Sequence, residues 1–241
     1  MNLLSKITVV AIGILAGMYL SGCDSDNTSS GEDTGVGVGS CITHNSTEYC
    51  DVTSPYTGKI WLNKNLGAAR VCTAYNDTEC YGDYYQWGRK HDGHQDKNSE
   101  TTWIQAEDVY DAGPEFVINH EDWASVDSDG RGRSVNWSQT DGNYACPAGY
   151  RVPTTDELKT ETIDQGVSNK MDAFNSFLKL SSSGFRYGDD GDMSGQGSLG
   201  NFWLSSPMED FAASFLYFDS DDAVVFYEYR SWGLPVRCIK N

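Results

Sequence analysis

Apolar positions along this chain are spaced differently from one segment to the next, and each spacing predicts a different kind of segment. Residues 7–20 form an apolar run of 14 residues, which is short for a membrane-spanning helix and suits the hydrophobic region of a signal peptide. Residues 24–40 contain almost no apolar side chain. Such a segment cannot bury enough surface to offset its ordering entropy, so we expect a flexible tether, followed by a folded region that begins near Cys41.

Alternation of apolar and polar residues predicts strands towards both ends of the folded region. Residues 59–66 alternate in this way, which is typical of an edge strand or a half-buried strand. From residue 184 onwards the pattern is again that of strands, and the Asp-Ser-Asp-Asp sequence at residues 219–222 is typical of a hairpin turn. The strands predicted in this second region are 202–205, 214–218, 223–229 and 236–240.

Helical signals are confined to three short segments. Residues 81–89 predict a short helix with an aromatic face. Thr154 followed by Glu157 forms a capping box, which marks the start of a helix. Residues 169–180 then carry apolar residues at helical spacing, with Leu178 on the apolar face. Together these patterns predict an α+β fold in which two helices pack on a small antiparallel sheet with long loops.

Residues 90–143 are polar, rich in Gly, Asp and Ser, and weakly periodic, so they predict a long loop-rich insertion. Roughly 200 residues follow the tether, which suits one domain with an insertion of this size. The predicted organisation is a signal peptide at residues 1–22, a tether at 23–40 and a single domain at 41–241.

The charge of the chain restricts its partners. The formal net charge is −18, which argues against nucleic acid, because a phosphate backbone is held by Lys and Arg. It also argues against binding an anionic membrane face. Acidity of this size favours solubility, and it supplies carboxylates of the kind that Ca²⁺ binds outside cells.

The chain has seven cysteines. When Cys23 is set aside, the remaining six are Cys41, Cys50, Cys72, Cys80, Cys146 and Cys238. An even number in an exported protein predicts disulfides but leaves their connectivity open. Proximity favours two small loops, Cys41–Cys50 and Cys72–Cys80, which leaves Cys146–Cys238. Zinc is the competing explanation, but no pair has CxxC spacing and no histidine lies at zinc-finger spacing.

A short motif ends the apolar run near the N-terminus. Leu20-Ser21-Gly22-Cys23 resembles the bacterial lipobox, in which the cysteine is acylated and becomes the first residue of the mature protein. No other stretch of the sequence is long and apolar enough to cross a membrane, so the resemblance implies attachment through lipid on Cys23 alone. The expected location is therefore outside the cytoplasm, on the outer membrane or cell surface rather than the inner membrane.

A series of motifs gives a second resemblance. They are YTGKIWLNKNL at residues 56–66, the cysteine loop and aromatic segment at 72–87, CPAGYRVPTTDEL at 146–158, SGFRY at 183–187, FWLSS at 202–206 and VRC at 236–238. In this order and spacing they resemble the Fibrobacter succinogenes major paralogous domain family, which has a C-type-lectin-like fold. The resemblance covers roughly residues 56–240 with gaps.

The family resemblance carries several expectations. It implies that the first and last strands pair, so that the ends of the domain lie close together. It also implies an exported, often lipid-anchored protein. It gives no catalytic residues that could be transferred to this chain, and the segment at residues 90–143 is longer and more acidic than the resemblance leads us to expect.

Two groups of residues are candidates for ligand binding. Asp189, Asp190 and Asp192 lie in a Gly-rich loop before the predicted strand at 202–205, and their carboxylates could bind Ca²⁺; the alternative is a solvated flexible loop. The second group lies near the closing hairpin and would form an aromatic and cationic ligand platform if it were exposed, because such residues dominate binding hot spots. Its members are Tyr217, Tyr227, Tyr229, Arg230 and Trp232.

The sequence shows no catalytic constellation. We therefore expect a membrane-anchored, exported lipoprotein that presents a non-catalytic lectin-like domain to carbohydrate or protein ligands at the cell surface. One alternative is an oxidase similar to formylglycine-generating enzymes, whose fold is related and whose chemistry uses a pair of late cysteines. Here the only late cysteine is Cys238, which a disulfide explains better. The other alternative is a structural or diversified display protein.

Overall fold

The computed structural model describes residues 39–241. The predicted signal peptide, Cys23 and most of the predicted tether lie outside these residues. The strands are β1 (Cys41–His44), β2 (Thr47–Thr53), β3 (Ile60–Leu62), β4 (Tyr85–Gln86), β5 (Thr101–Thr102), β6 (Phe116–Val117), β7 (Tyr150–Arg151), β8 (Phe185–Arg186), β9 (Met193–Ser194), β10 (Gly200–Pro207), β11 (Ala212–Phe218), β12 (Ala223–Tyr229), β13 (Gly233–Leu234) and β14 (Ile239–Lys240). The helices are α1 (Arg131–Trp137), α2 (Thr155–Glu161) and α3 (Lys170–Asn175), with 3-10 helices at Thr78–Cys80 and Ile163–Gln165.

The strands form four small sheets. Their orders are β1-β2-β3-β14-β7, β10-β11-β12, β4-β13-β8-β9 and β5-β6. Every pairing is antiparallel except that of β5 with β6. The class is therefore α+β, as predicted, but the described residues contain three α-helices rather than two. No helix within residues 39–241 is long and apolar enough to cross a membrane.

The two ends of the folded region meet in the largest sheet. Ile239 of β14 pairs with Trp61 of β3, so the opening strand of the family-like region lies beside the last strand of the chain. β1 and β2 extend this sheet as a hairpin. Its two turn residues, Asn45 and Ser46, both have positive φ (46° and 62°), the conformation that suits the twist of a two-residue hairpin.

Three disulfides fix the described region. They join Cys41 to Cys50, Cys72 to Cys80 and Cys146 to Cys238, which is the pairing that proximity along the chain favours. The first bridge links residues that lie directly opposite each other in the β1–β2 register. The third spans 92 positions of sequence and ties the last strand to the segment that precedes β7.

Tryptophan side chains build much of the core. Five of them are fully buried, among them Trp61, and the other four each donate the indole N–H to a backbone carbonyl oxygen at 2.7–3.0 Å. These residues are Trp87, Trp123, Trp137 and Trp203. Because a buried indole costs free energy unless its N–H is paired, these bonds let large aromatic groups stabilise a region with little regular structure.

The helix predicted at residues 81–89 is wrong. In its place the chain has the short strand β4, and a 3-10 helix at Thr78–Cys80 ends just before the segment. Gly82 and Gly88 adopt left-handed backbone conformations, with φ of 79° and 80°, which interrupt any right-handed helix across the segment. The aromatic residues are buried in more than one cluster of the core rather than along one helical face.

The other helical predictions are confirmed in part. Thr154 and Glu157 form the predicted capping box at the start of α2. α3 is shorter than predicted, because the chain leaves the helical conformation at Ser176, where φ is −61° and ψ is 164°. Leu178 is buried, as expected of an apolar core position, but it reaches the core from a turn that follows the helix.

Residues 90–143 are mostly irregular, as predicted, but they are no peripheral insertion. They include β5, β6 and the helix α1, which the polar pattern concealed. Asp127 accepts the backbone N–H groups of Gly132 and Arg133 at 2.9 and 3.0 Å and so satisfies the start of α1. Trp123 and Trp137 from this segment belong to the buried core.

Candidate functional site

The acidic loop predicted to bind calcium connects β8 and β9, and its three aspartates are exposed. The carboxylate of Asp190 accepts the backbone N–H of Asp192 at 2.9 Å, which holds the turn. Within residues 39–241, the one group of metal-ligating side chains whose ligand atoms lie within 4.8 Å of one another is centred on Cys41 and Cys50, and both of those sulfurs are in a disulfide. The structure therefore does not gather Asp189, Asp190 and Asp192 into a preformed cation site.

Arg230 is not a surface residue, contrary to the prediction of a ligand-binding role. Its side chain is fully buried. The guanidinium donates to the Asp122 carboxylate at 3.1 Å and to the carbonyl oxygens of Ser128 and Met208 at 2.7 and 2.9 Å. The chain turns inward directly after β12, where Asp122 compensates the buried positive charge, so the role of Arg230 is structural.

Tyr217 and Trp232 are half-buried and already engaged by the protein itself. The Tyr217 hydroxyl donates to the Asp219 carboxylate at 2.8 Å. The indole of Trp232 packs on Phe185 and Tyr187, with ring centroids 4.7 and 4.8 Å apart. These two members of the predicted platform therefore contribute to packing near the hairpin rather than to an open surface.

Tyr227 and Tyr229 are exposed, as a ligand platform requires. Their side chains are 56% and 41% accessible to solvent, and strand alternation places both on the same face of β12. Phe226, which the sequence-based set omits, is 54% exposed. Its ring stacks on that of Tyr227, with centroids 5.2 Å apart and planes inclined by 5°. Together the two rings form a flat aromatic surface at the edge of the sheet.

These rings border an open cavity of about 580 Å³. We define the β12 surface as the exposed and half-buried residues that line it, namely Met208, Glu209, Asp210, Phe226, Tyr227, Glu228 and Tyr229. The β10–β11 turn supplies the first three. Asp210 and Phe211 in this turn have φ of 53° and 59°, a hairpin conformation that is strained for a phenylalanine.

The β12 surface is acidic as well as aromatic. Glu209, Asp210 and Glu228 line the cavity, and no Lys or Arg does so among the described residues. Burial raises the pKa of Glu228, and the negative charge of Asp189 raises it further, although the Tyr229 N–H opposes both. Aromatic faces and carboxylates are groups that bind ligands; nothing in this arrangement pairs a nucleophile with a base.

A buried cluster of charged side chains lies at the end of β12 and connects this strand to the core. The Asp122 carboxylate accepts two hydrogen bonds from Arg133 at 2.5 and 2.7 Å and a third from Arg230 at 3.1 Å. All three side chains are almost inaccessible to solvent. The guanidiniums of Arg133 and Arg230 also lie over Trp87, 5.8 and 5.3 Å from its ring. The end of β12 is thus held rigidly against the core.

A second polar region lies elsewhere on the domain. Two adjoining cavities of about 400 and 290 Å³ share Gly67, Asp83 and Asp96 in their walls, and we call them the Asp83 cavity. Burial raises the pKa of Asp83 to about 7, and the charge of Asp96 adds to the effect. A side chain on Gly67 would collide with the Asp83 carboxylate, since its Cβ would lie 2.2 Å from the carboxyl carbon.

Hydrogen bonds fix the tautomer of His91 at the edge of the Asp83 cavity. Gln95 accepts the Gly93 N–H at 2.9 Å through its oxygen, so its amide nitrogen donates to His91 Nε2 at 3.3 Å. His91 Nδ1 therefore carries the proton and donates to the Tyr85 hydroxyl at 3.0 Å. Burial, together with nearby His44, lowers the pKa of His91, which keeps the imidazole neutral.

Sequence reasoning missed Phe226, Glu228 and the turn residues of the β12 surface. One signal was present: Phe226 and Tyr227 are adjacent aromatic residues in one strand, so alternation sends them to opposite faces. In the structure their rings instead stack together on β12, which lies at the edge of its sheet. That edge position depends on tertiary contacts that no local pattern reveals.

No family model matches this chain, and neither a curated protein nor a solved structure matches it.

Proposed function

We propose that this protein is an exported lipoprotein that presents a non-catalytic, lectin-like binding domain at the cell surface, and that the β12 surface binds its carbohydrate or protein ligand. The observation that carries the proposal is the exposed stacked pair of Phe226 and Tyr227 beside three carboxylates, none of which forms an ion pair within the described residues. Aromatic side chains held on a rigid support are the usual centres of binding free energy.

Export and anchoring are supported by the covalent chemistry of the chain. Three disulfides are compatible with an oxidising compartment. The lipobox-like sequence ending at Cys23 supports a lipid anchor on the outer membrane or cell surface. In labelling experiments with a radioactive fatty acid, the wild-type chain should take up label and a Cys23→Ala variant should not. Equal labelling of both chains would contradict the anchor.

The lectin-like family assignment is supported by connectivity. The strand at the start of the family-like motifs pairs with β14, and Cys146 in the CPAGYRVPT motif bonds to Cys238 in the closing VRC motif. The strand pairing is the one that the resemblance to the Fibrobacter succinogenes major paralogous domain family implies, and the disulfide joins two of the motifs that carry the resemblance. An oxidase of the formylglycine-generating kind is less favoured, because Cys238 is fully buried and its sulfur is already bonded.

Binding can be tested with an array that carries glycans and extended peptides. The purified full chain in mild detergent is applied in calcium and again in EDTA. Replacing both rings in a Phe226→Ala/Tyr227→Ala variant should lower the retained signals at least about tenfold, since aromatic hot spots carry most of such an interaction. Signals that disappear in EDTA would point instead to the aspartates of the β8–β9 loop.

Tyr110 offers a matched control. Its side chain is 56% exposed, the same as that of Tyr227, but it does not line the β12 cavity. A Tyr110→Ala variant should bind the array as the wild-type chain does. If the double variant also binds as the wild type does, the β12 surface is not the ligand site and the proposal fails.

A further inference from the structure

Strand β12 lies at an open edge of its sheet. Within the described residues it pairs with β11 alone. In an antiparallel pair, residues alternate between those that bond to the partner strand and those whose N–H and C=O point away from it. The Asp219 N–H bonds to the Asp222 carbonyl, and the Arg230 N–H bonds to the Phe211 carbonyl. With the observed register, both contacts give the same result: the backbone groups of Ala223, Val225, Tyr227 and Tyr229 point outward.

The ends of this edge are capped and its middle is open. The Ala223 N–H donates to the Asp222 carboxylate at 2.8 Å, and the Tyr229 N–H donates to the Glu228 carboxylate at 2.9 Å. Within residues 39–241, no side chain accepts the outward N–H of Val225 or Tyr227. These two amides and the carbonyls beside them form a short row of free hydrogen-bonding groups. Edge strands with this property are templates for the addition of another strand.

We infer that the β12 edge binds an extended polypeptide segment rich in lysine or arginine, which adds to the sheet as a further strand beside Val225 and Tyr227. This inference rests on the proposed function and names its ligand class. The added strand would lie about 4.8 Å from β12. Its side chains would pack against the stacked rings of Phe226 and Tyr227 at this edge.

Charge complementarity selects a basic partner. Glu209, Asp210 and Glu228 surround the cavity, and no Lys or Arg lines it among the described residues. The turn at one end of β12 adds Asp221 and Asp222, both exposed. Complementary charge steers association and rejects partners of the wrong sign.

The same charges argue against two nearer candidates. Two copies of β12 pairing antiparallel would bring the acidic turn at residues 219–222 of each chain towards Glu228 of the other. The predicted tether at residues 24–40 contains four acidic residues and no Lys or Arg, so it is also repelled. A basic segment from another protein would not be repelled by these charges, so it is the occupant that the charges favour.

Three heptapeptides test the inference on the full chain in mild detergent, by calorimetry. The first is acetyl-Lys-Thr-Lys-Val-Lys-Thr-Lys-amide; the second replaces each Lys by Glu; the third replaces the central Val by Pro. The first should bind, and the other two should bind at least about tenfold more weakly. Failure of the first peptide to bind, or equal binding of all three, would overturn the inference.

A backbone variant separates strand addition from aromatic stacking. Val225→Pro removes the outward N–H without touching a bond to β11, because proline is tolerated on the open side of an edge strand. Its matched control, Val225→Ala, keeps the N–H. Val225→Pro should bind the first peptide at least about tenfold more weakly than Val225→Ala. Equal affinities would overturn strand addition, even if glycan binding that requires Phe226 and Tyr227 upholds the proposed function.

Amide hydrogen exchange keeps the test decisive if Val225→Pro does not fold. In the wild-type chain, the first peptide should slow exchange at Val225 and Tyr227, whose N–H groups are free. Phe226 and Glu228 already bond to β11 and should change little. Alternating protection is specific to an added strand, so its absence in the presence of saturating peptide would overturn the inference.

Discussion

The charge of Asp122 allows the arginine side chains that contact it to be buried. From sequence, Arg230 is a plausible ligand-binding residue, since it lies among aromatic residues at the end of a strand. In the structure its charge is compensated by Asp122, more than 100 positions earlier in the chain, so the guanidinium is buried. No local pattern links these two residues. The exposure of Tyr227 and Tyr229 could be predicted from strand alternation, whereas the burial of Arg230 could not.

Removal of the Asp122 carboxylate should be strongly destabilising. Asp122→Ala leaves the buried guanidinium of Arg230 without its counter-ion and leaves Arg133 with Asp127 alone, which should lower the free energy of unfolding by about 3–5 kcal/mol. The matched control is Asp129→Ala, because the side chains of Asp129 and its partner Arg131 are 61% and 85% exposed. That change should cost less than about 1 kcal/mol. Urea denaturation of both variants measures the difference, and similar losses would contradict the role given to the cluster.

Asp83 should make stability depend on pH. Its pKa is about 7 in the folded protein and 3.8 in an unperturbed chain, so between these values the folded state binds the proton more tightly. The free energy of unfolding should therefore fall as pH rises from about 4 to 7. Asp83→Asn removes this effect and should raise the free energy of unfolding by about 4 kcal/mol at pH 8, with no gain at pH 4.

Denaturation of the Asp83→Asn variant across this pH range provides the measurement. Asp111→Asn, a change at an exposed carboxyl, serves as the control and should leave the pH profile as it is in the wild type. A gain for Asp83→Asn of equal size at pH 4 and pH 8 would show that the carboxyl is not the cause.

Elements were predicted well where the local pattern also determined the packing. The hairpin of β11 and β12 and the capping box of α2 appear where the sequence places them. The helix predicted at residues 81–89 fails because Gly82 and Gly88 take left-handed conformations. The edge position of β12, on which the candidate site depends, follows from sheet order and has no signature in the strand itself.

The start of α2 offers a test at the scale of an element. The Thr154 hydroxyl accepts the Glu157 N–H, and the Glu157 carboxylate accepts the Thr154 N–H. Thr154→Ala should lower the free energy of unfolding by about 1 kcal/mol, through loss of the cap. Thr160→Ala, inside the same helix, should change it by less than about 0.5 kcal/mol. Thermal unfolding compares the two, and an equal loss would show that the cap does not contribute.

At the scale of the molecule, covalent links and end-to-end pairing hold together a domain with little regular structure. β3 and β14 meet in one sheet, and Cys146–Cys238 fastens the same region. The cysteine spacing predicted the pairing. It could not predict that residues 90–143 would supply core tryptophans, because a polar and aperiodic segment carries no pattern that indicates burial.

The long disulfide should matter more than a short one. In the loop-closure account, removing Cys146–Cys238 as a double alanine variant should cost about 4–5 kcal/mol, against about 2–3 kcal/mol for Cys41–Cys50. The two bridges span 92 and 9 positions of sequence. Denaturation without reductant gives both values. A greater loss for the short bridge would indicate that native contacts, rather than the entropy of the unfolded chain, determine the effect.

The central claim is that β12 contacts a ligand at the cell surface. The most direct measurement is site-specific photo-crosslinking of the full chain on the cells that make it. Benzoylphenylalanine replaces Tyr227 in one chain and the equally exposed Tyr110 in another. We expect a discrete adduct after irradiation from position 227 and none from position 110. Equal adducts from both positions, or no adduct from position 227, would contradict it.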